Sequence, residues 1–95
     1  MSTLANASTG MAEYTLVISK TAQKQLNKLI NTVAEPIIET ILSLASNPRP
    51  QGCKKLKGRS GYRIRKGNYR IIYEIYDDVL TVEVIALGDR KDVYN

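Results

Sequence analysis

The sequence predicts an α+β fold: an N-terminal strand, a helical hairpin, then a three-stranded antiparallel meander, in the order β-α-α-β-β-β. Three observations predict it. The stretch "GYRIRKGNYRIIYEI" from Gly61 to Ile75 alternates as strands do and is interrupted at Gly67-Asn68, a good two-residue hairpin turn. Ahead of it, apolar residues recur at helical spacing from Ala22 to Ala45. Ahead of that lies "YTLVI", a short run rich in β-branched residues. One amphipathic helical hairpin covering one face of an antiparallel sheet satisfies all three.

Met1 to Gly10, "MSTLANASTG", is small and polar, with no basic start and no apolar run of signal-peptide length. Residues 1–11 are expected to be a disordered extension, and residues 12–95 a single domain. Tyr14 to Ile18 form the first strand, and Ser19 caps the helix that follows. Ala22, Leu26 and Leu29 share one face of that helix, and Lys20, Lys24 and Lys28 another. Thr32 to Glu35, "TVAE", has the pattern of a capping box. Pro36 is then expected in the first turn, where its missing N–H costs little. Ile38, Ile41, Leu42 and Ala45 continue the apolar stripe until Asn47-Pro48 stops the helix. A basic loop leads into strands expected at Tyr62 to Arg65, Tyr69 to Tyr76 and Val79 to Leu87. Asp77-Asp78 makes the second turn, and Gly88 ends the last strand.

The chain has 95 residues and a formal net charge of +5. That length builds one domain with a modest core, here from Ile, Leu, Val and Tyr, because Phe and Trp are absent. The positive charge favours an acidic partner. It is concentrated: from Arg49 to Arg70 stand Arg49, Lys54, Lys55, Lys57, Arg59, Arg63, Arg65, Lys66 and Arg70, without one Asp or Glu. The single cysteine, Cys53, forbids an internal disulfide and fits a cytoplasmic location. Histidine is absent, which removes the usual acid–base residue, most zinc sites and a Cys–His pair. No segment reaches membrane-spanning length.

If Gly67-Asn68 is the turn, Arg65 lies opposite Arg70, Ile64 opposite Ile71, and Arg63 opposite Ile72. Arg63, Arg65 and Arg70 then converge on one face, while Tyr62, Ile64, Tyr73 and Ile75 share the face toward the helices. Like charges directly opposite destabilise a sheet. A polyanion such as RNA or DNA justifies the arrangement, because Arg grips phosphate with a rigid two-pronged fork. For Lys54, Lys55 and Lys57 a solvated face competes evenly with a binding role.

A strand, a helical hairpin, "KLKGRSGYRIRKGNYRIIYEI" and a closing "VIALGDRKDVY" together resemble the RelE/ParE superfamily of bacterial toxin–antitoxin toxins, over about residues 12 to 94. The resemblance implies a microbial RNase-like fold and a cognate antitoxin, RelB-like or another small DNA-binding protein. Through that antitoxin complex alone would the chain meet operator DNA. The superfamily divides. RelE-type toxins cut messenger RNA on the ribosome without metal or cofactor, whereas ParE-type toxins inhibit DNA gyrase. The RelE pattern has basic residues on the first strand of the hairpin, matched by Arg63 and Arg65. It has an arginine on the next strand, matched by Arg70. Another follows the last strand, matched by Arg90, with a tyrosine close behind, matched by Tyr94. The resemblance thus implies an RNA endonuclease with Arg65, Arg70, Arg90 and Tyr94 as catalytic residues. Arg63, Lys54, Lys55 and Lys57 would bind substrate. The chain carries Arg63 and Arg65 where the best-studied members of the family have lysines. Arginine is a poor proton acceptor.

Structural readings stand beside these. Arg70 would pair with Glu74 or Glu83, Arg90 with Asp89 or Asp92, and Tyr94 would plug the edge of the core. Gyrase inhibition remains the alternative function.

Overall fold

The computed structural model describes residues 13–89. The expected extension at residues 1–11, together with Arg90 and Tyr94, lies outside the described residues. The chain runs through β1 (Thr15–Ile18), α1 (Lys20–Asn27), α2 (Asn31–Ser43), β2 (Lys54–Lys55), β3 (Tyr62–Lys66), β4 (Tyr69–Tyr76) and β5 (Thr81–Asp89). The strands form one sheet in the order β1-β5-β4-β3-β2. β1 lies parallel to β5, and every other pair is antiparallel. The expected meander is therefore the centre of a five-stranded sheet, extended on one edge by β1 and on the other by the short β2.

Ser19 couples the first helix to the sheet. Its side chain accepts from the Ala22 amide at 3.0 Å, capping α1, and donates to the Ile85 carbonyl at 2.7 Å. That carbonyl needs a partner, because β5 bulges there: Ile72 pairs with Ala86 but Tyr73 with Val84, which leaves Ile85 as the extra residue. One hydroxyl thus serves a helix end and a bulge. The core between helices and sheet is Ala22, Leu26, Ile37, Ile41, Leu44, Ile71, Tyr73, Val82, Val84 and Leu87. Tyr73 is fully buried, its hydroxyl donates to the Pro48 carbonyl at 2.8 Å, and burial pushes that phenol's pKa up.

Several sequence expectations are corrected. α2 begins at Asn31 with Ile30 at the cap and no side-chain cap bond, so Thr32 to Glu35 is not a capping box. Thr32 is already helical, and a capping side chain needs extended backbone. Pro36 consequently falls in the second turn, where it removes the bond that the Thr32 carbonyl would have accepted. The buried residues of α2 are Ala34, Ile37 and Ile41, followed by buried Leu44 and Ala45 just past its end, while Ile38 and Leu42 are about 40% exposed on the neighbouring face. α2 is apolar over more than one stripe, so periodicity alone did not fix its rotation. The β4–β5 connection is a 3₁₀ turn at Asp77–Val79 followed by Leu80 at φ 45. It is longer than an Asp-Asp turn and delays β5 to Thr81, and Gly88 lies inside that strand rather than ending it. Among the described residues, no helix is long and apolar enough to cross a membrane.

Candidate functional site

The β3–β4 hairpin has the register that its sequence predicts. Gly67, at φ +61, supplies the positive dihedral that the two-residue turn requires. Arg65 then sits opposite Arg70, Ile64 opposite Ile71, and Arg63 opposite Ile72. The short β2 adds a second like-charged pair, Lys54 opposite Arg63. Arg65 is exposed, whereas Arg70 is buried, at 8% exposure, on the central strand, where its neighbour on β5 is Gly88.

These residues line an open groove of about 620 Å³. Its walls are Lys54, Lys55, Leu56, Lys57, Arg59, Arg63, Arg65, Arg70 and Ile72. Every site residue expected within the described chain is therefore present in one concavity. Lys54, Lys57, Arg59, Arg63 and Arg65 have no ion-pair partner among the described residues. The ammonium of Lys55 lies 5.4 Å from the centroid of the Tyr62 ring, so this lysine also has a packing role. Glu74 and Glu83 each have a hydroxyl partner. Glu74 accepts from the Ser60 hydroxyl at 3.0 Å and Glu83 from the Tyr76 hydroxyl at 3.3 Å. The two carboxylates also face each other across β4 and β5. A face with cationic pairs at one end and an acidic pair at the other carries two arrangements that oppose sheet stability.

Arg49, the first residue of the basic run, is not part of the groove. Its guanidinium holds Asp77 with two bonds, at 2.9 and 3.3 Å, and donates to the Tyr62 hydroxyl at 3.2 Å. Tyr14 donates to the same carboxylate at 2.6 Å. Arg49, followed by Tyr14, holds the Asp77 carboxyl below the usual carboxylate range. The network ties the loop after α2 to the β4–β5 turn and to the start of β1.

Arg59 was visible in the sequence only as one charge of a run. It joins the groove because the loop between β2 and β3 folds back onto β4, a contact between distant segments that local periodicity does not encode. Arg90 and Tyr94 lie beyond the described residues. The last described residue, Asp89, pairs with Tyr69, which neighbours Arg70. The tyrosines behave as packing residues. Tyr73 is buried, Tyr62 stacks on it at 5.9 Å, and Tyr69 packs against the core. Tyr76 is 40% exposed beside Glu83.

Such a groove can hold the phosphates of a polyanion, with paired arginines able to surround one phosphate from two strands. Comparison with known proteins agrees in fold and family. The family model described as "ParE toxin of type II toxin-antitoxin system, parDE" matches residues 16–94. The mRNA interferase toxin RelE of Escherichia coli K12 is 30% identical over 87 residues, covering 86% of this chain and 90% of that protein. Among solved structures, the toxin–antitoxin complex RelBE2 from Mycobacterium tuberculosis superposes with a TM-score of 0.73 and 27% identity, over 82% of this chain and 99% of the other. The archaeal RelE–RelB complex from Pyrococcus horikoshii gives 0.74 and 28%, over 84% and 97%. The five-stranded sheet, the helical hairpin and the matched sequence assign this chain to the RelE/ParE superfamily of toxins of type II toxin–antitoxin systems.

Proposed function

We propose that this protein is a toxin that cleaves messenger RNA on the ribosome and thereby inhibits translation. The observation that carries the reading is the groove itself: two opposed like-charged pairs, Arg65–Arg70 and Lys54–Arg63, opening onto one concavity. The relatives named as mRNA interferases support it.

RNA brings its own nucleophile. The 2′-hydroxyl oxygen attacks the adjacent phosphorus, the bond to the 5′-oxygen breaks, and a cyclic phosphate and a 5′-hydroxyl remain. The 2′ proton leaves to water, since neither Arg63 nor Arg65 is a useful base. The 5′-oxygen takes up a proton as it departs. Arg70, held rigidly by burial, clamps the scissile phosphate, and Arg65 and Arg90 stabilise the charge that grows on its oxygens. Preorganised donors of this kind contribute about 3–4 kcal/mol each at a comparable oxyanion site. Tyr94 stacks on a base or relays the proton to the leaving oxygen. Arg63, Lys54, Lys55 and Lys57 hold the flanking backbone. This chemistry draws on no metal and no cofactor.

The protein works in the cytoplasm, where ribosomes and messenger RNA are. A cognate antitoxin keeps it silent by covering or distorting the basic face, as the toxin–antitoxin complexes of relatives support. Gyrase inhibition is the competing reading, and the relatives named as mRNA interferases do not favour it. Expression in cells, with messenger RNA ends mapped by primer extension and DNA breaks scored in parallel, separates the two. New RNA ends without DNA breaks are expected. DNA breaks with intact messages would transfer the protein to the gyrase branch.

A further inference from the structure

One wall of the groove is a loop, and it is fastened to the sheet. Residues 56–61 connect β2 to β3, and within them the Lys57–Ser60 loop carries two of the groove's cations, Lys57 and Arg59. The base of the loop is closed by the Leu56 amide donating to the Gly61 carbonyl at 3.0 Å. Gly61 stands at φ +116, and a Cβ there would lie 3.3 Å from both the Tyr73 carbonyl oxygen and Leu56 Cδ1. Glycine thus lets the loop press directly on the β4 backbone. Above it, the Ser60 hydroxyl donates to Glu74 Oε2 at 3.0 Å. Glu74 is an expensive acceptor, because it faces Glu83 across the sheet. Its carboxylate nevertheless makes a stronger, charge-assisted bond than a neutral acceptor would. Arg59, exposed and without an ion-pair partner among the described residues, is the side chain that this fastening presents to the groove.

We infer that Ser60 and Glu74 form a clasp that fixes the Lys57–Ser60 loop, so that Arg59 takes a backbone phosphate of single-stranded RNA beside the scissile one. Arg59 is a substrate-binding residue; Ser60 and Glu74 are positioning residues. The inference rests on the RNA-cleaving reading of the same groove. The cost of opposing two carboxylates then has a function: the loop is preorganised before RNA arrives, and less ordering entropy is lost on binding.

The test uses the full chain freed of antitoxin, with a short single-stranded RNA whose riboses are 2′-O-methylated so that it cannot be cut. Binding is followed by fluorescence anisotropy across a salt series. Arg59→Ala should weaken binding about five- to tenfold and reduce the slope of log K against log salt by about 0.7, the value for one phosphate contact on a single strand. Ser60→Ala should weaken it about threefold, and Ser60→Thr, which keeps the hydroxyl, should restore it. In the Arg59→Ala background, Ser60→Ala should cause no further loss, because the clasp acts through Arg59. On programmed ribosomes the single variants should raise KM rather than lower kcat. An unchanged salt slope in Arg59→Ala, or independent multiplying losses in the double variant, would overturn the clasp. Arg65→Ala, assayed for message cleavage in parallel, separates the two levels. Lost cleavage with unaltered Arg59 and Ser60 variants refutes the clasp alone, and retained cleavage refutes the functional reading and the clasp together.

Discussion

Two basic residues twenty-one positions apart in one charge run end in opposite circumstances. Arg49 is neutralised by a two-bond grip on Asp77, supported by Tyr14 and Tyr62. Arg70 sits at the other end of the run on a strand where the residue directly opposite is Arg65. The first arrangement lowers the energy of the fold: three segments meet at one carboxylate. In the second, two guanidiniums face each other at one cross-strand site, a pairing that by itself opposes sheet stability. A charge run is therefore not one feature. Its first member is structural, and its later members gather around one groove.

The sharpest way to break this contrast is to remove the buried arginine. Arg70→Ala should cut message cleavage by about 10²–10³-fold, the range for loss of one preorganised donor, measured as primer-extension product from programmed ribosomes. Because Arg70 is buried, its stem also packs, so its stability change is not a clean measure of repulsion. Arg70→Lys keeps the charge and loses the fork; it should retain RNA binding and lose about tenfold in rate. Arg49→Ala sharpens the other side. It should lower stability by about 1 kcal/mol, an appropriate size for a partly exposed network, and leave cleavage intact. Thermal unfolding and the cleavage assay read the two effects separately.

The smallest effect is a pH dependence. Asp77 has a folded-state pKa below its unfolded value. Its contribution to stability is therefore complete above about pH 4 and fades as pH falls through the lower folded value. The difference in thermal midpoint between the wild type and Asp77→Asn should narrow below about pH 4, where the wild type loses what the variant never had.

The groove was more legible in the sequence than the framework that holds it. Turn chemistry at Gly67-Asn68 and strict alternation are local, so the pairing of Arg65 with Arg70 followed from residues a few positions apart. Arg49 with Asp77, Ser19 with Ile85 and Ser60 with Glu74 join segments that only the folded chain brings together. No spacing rule reaches them. The parallel pairing of β1 with β5 was hidden for the same reason. The rotation of α2 was missed because Ile37, Ile38, Ile41 and Leu42 offer two apolar stripes, and only packing against the sheet chooses between them. Arg59 stood in plain view as a charge, and only the back-folded loop gave it a position.

The central claim is that the opposed arginines at the hairpin serve the scissile phosphate and not the fold. Arg65→Ala tests it most directly, because Arg65 is the exposed member of the pair and its removal leaves no buried space. Thermal unfolding and message cleavage are measured on the same preparation. The claim predicts a midpoint equal to that of the wild type or higher, by no more than about 1 kcal/mol of stability, with cleavage reduced about a hundredfold. A less stable protein that still cuts messenger RNA at the wild-type rate would contradict it.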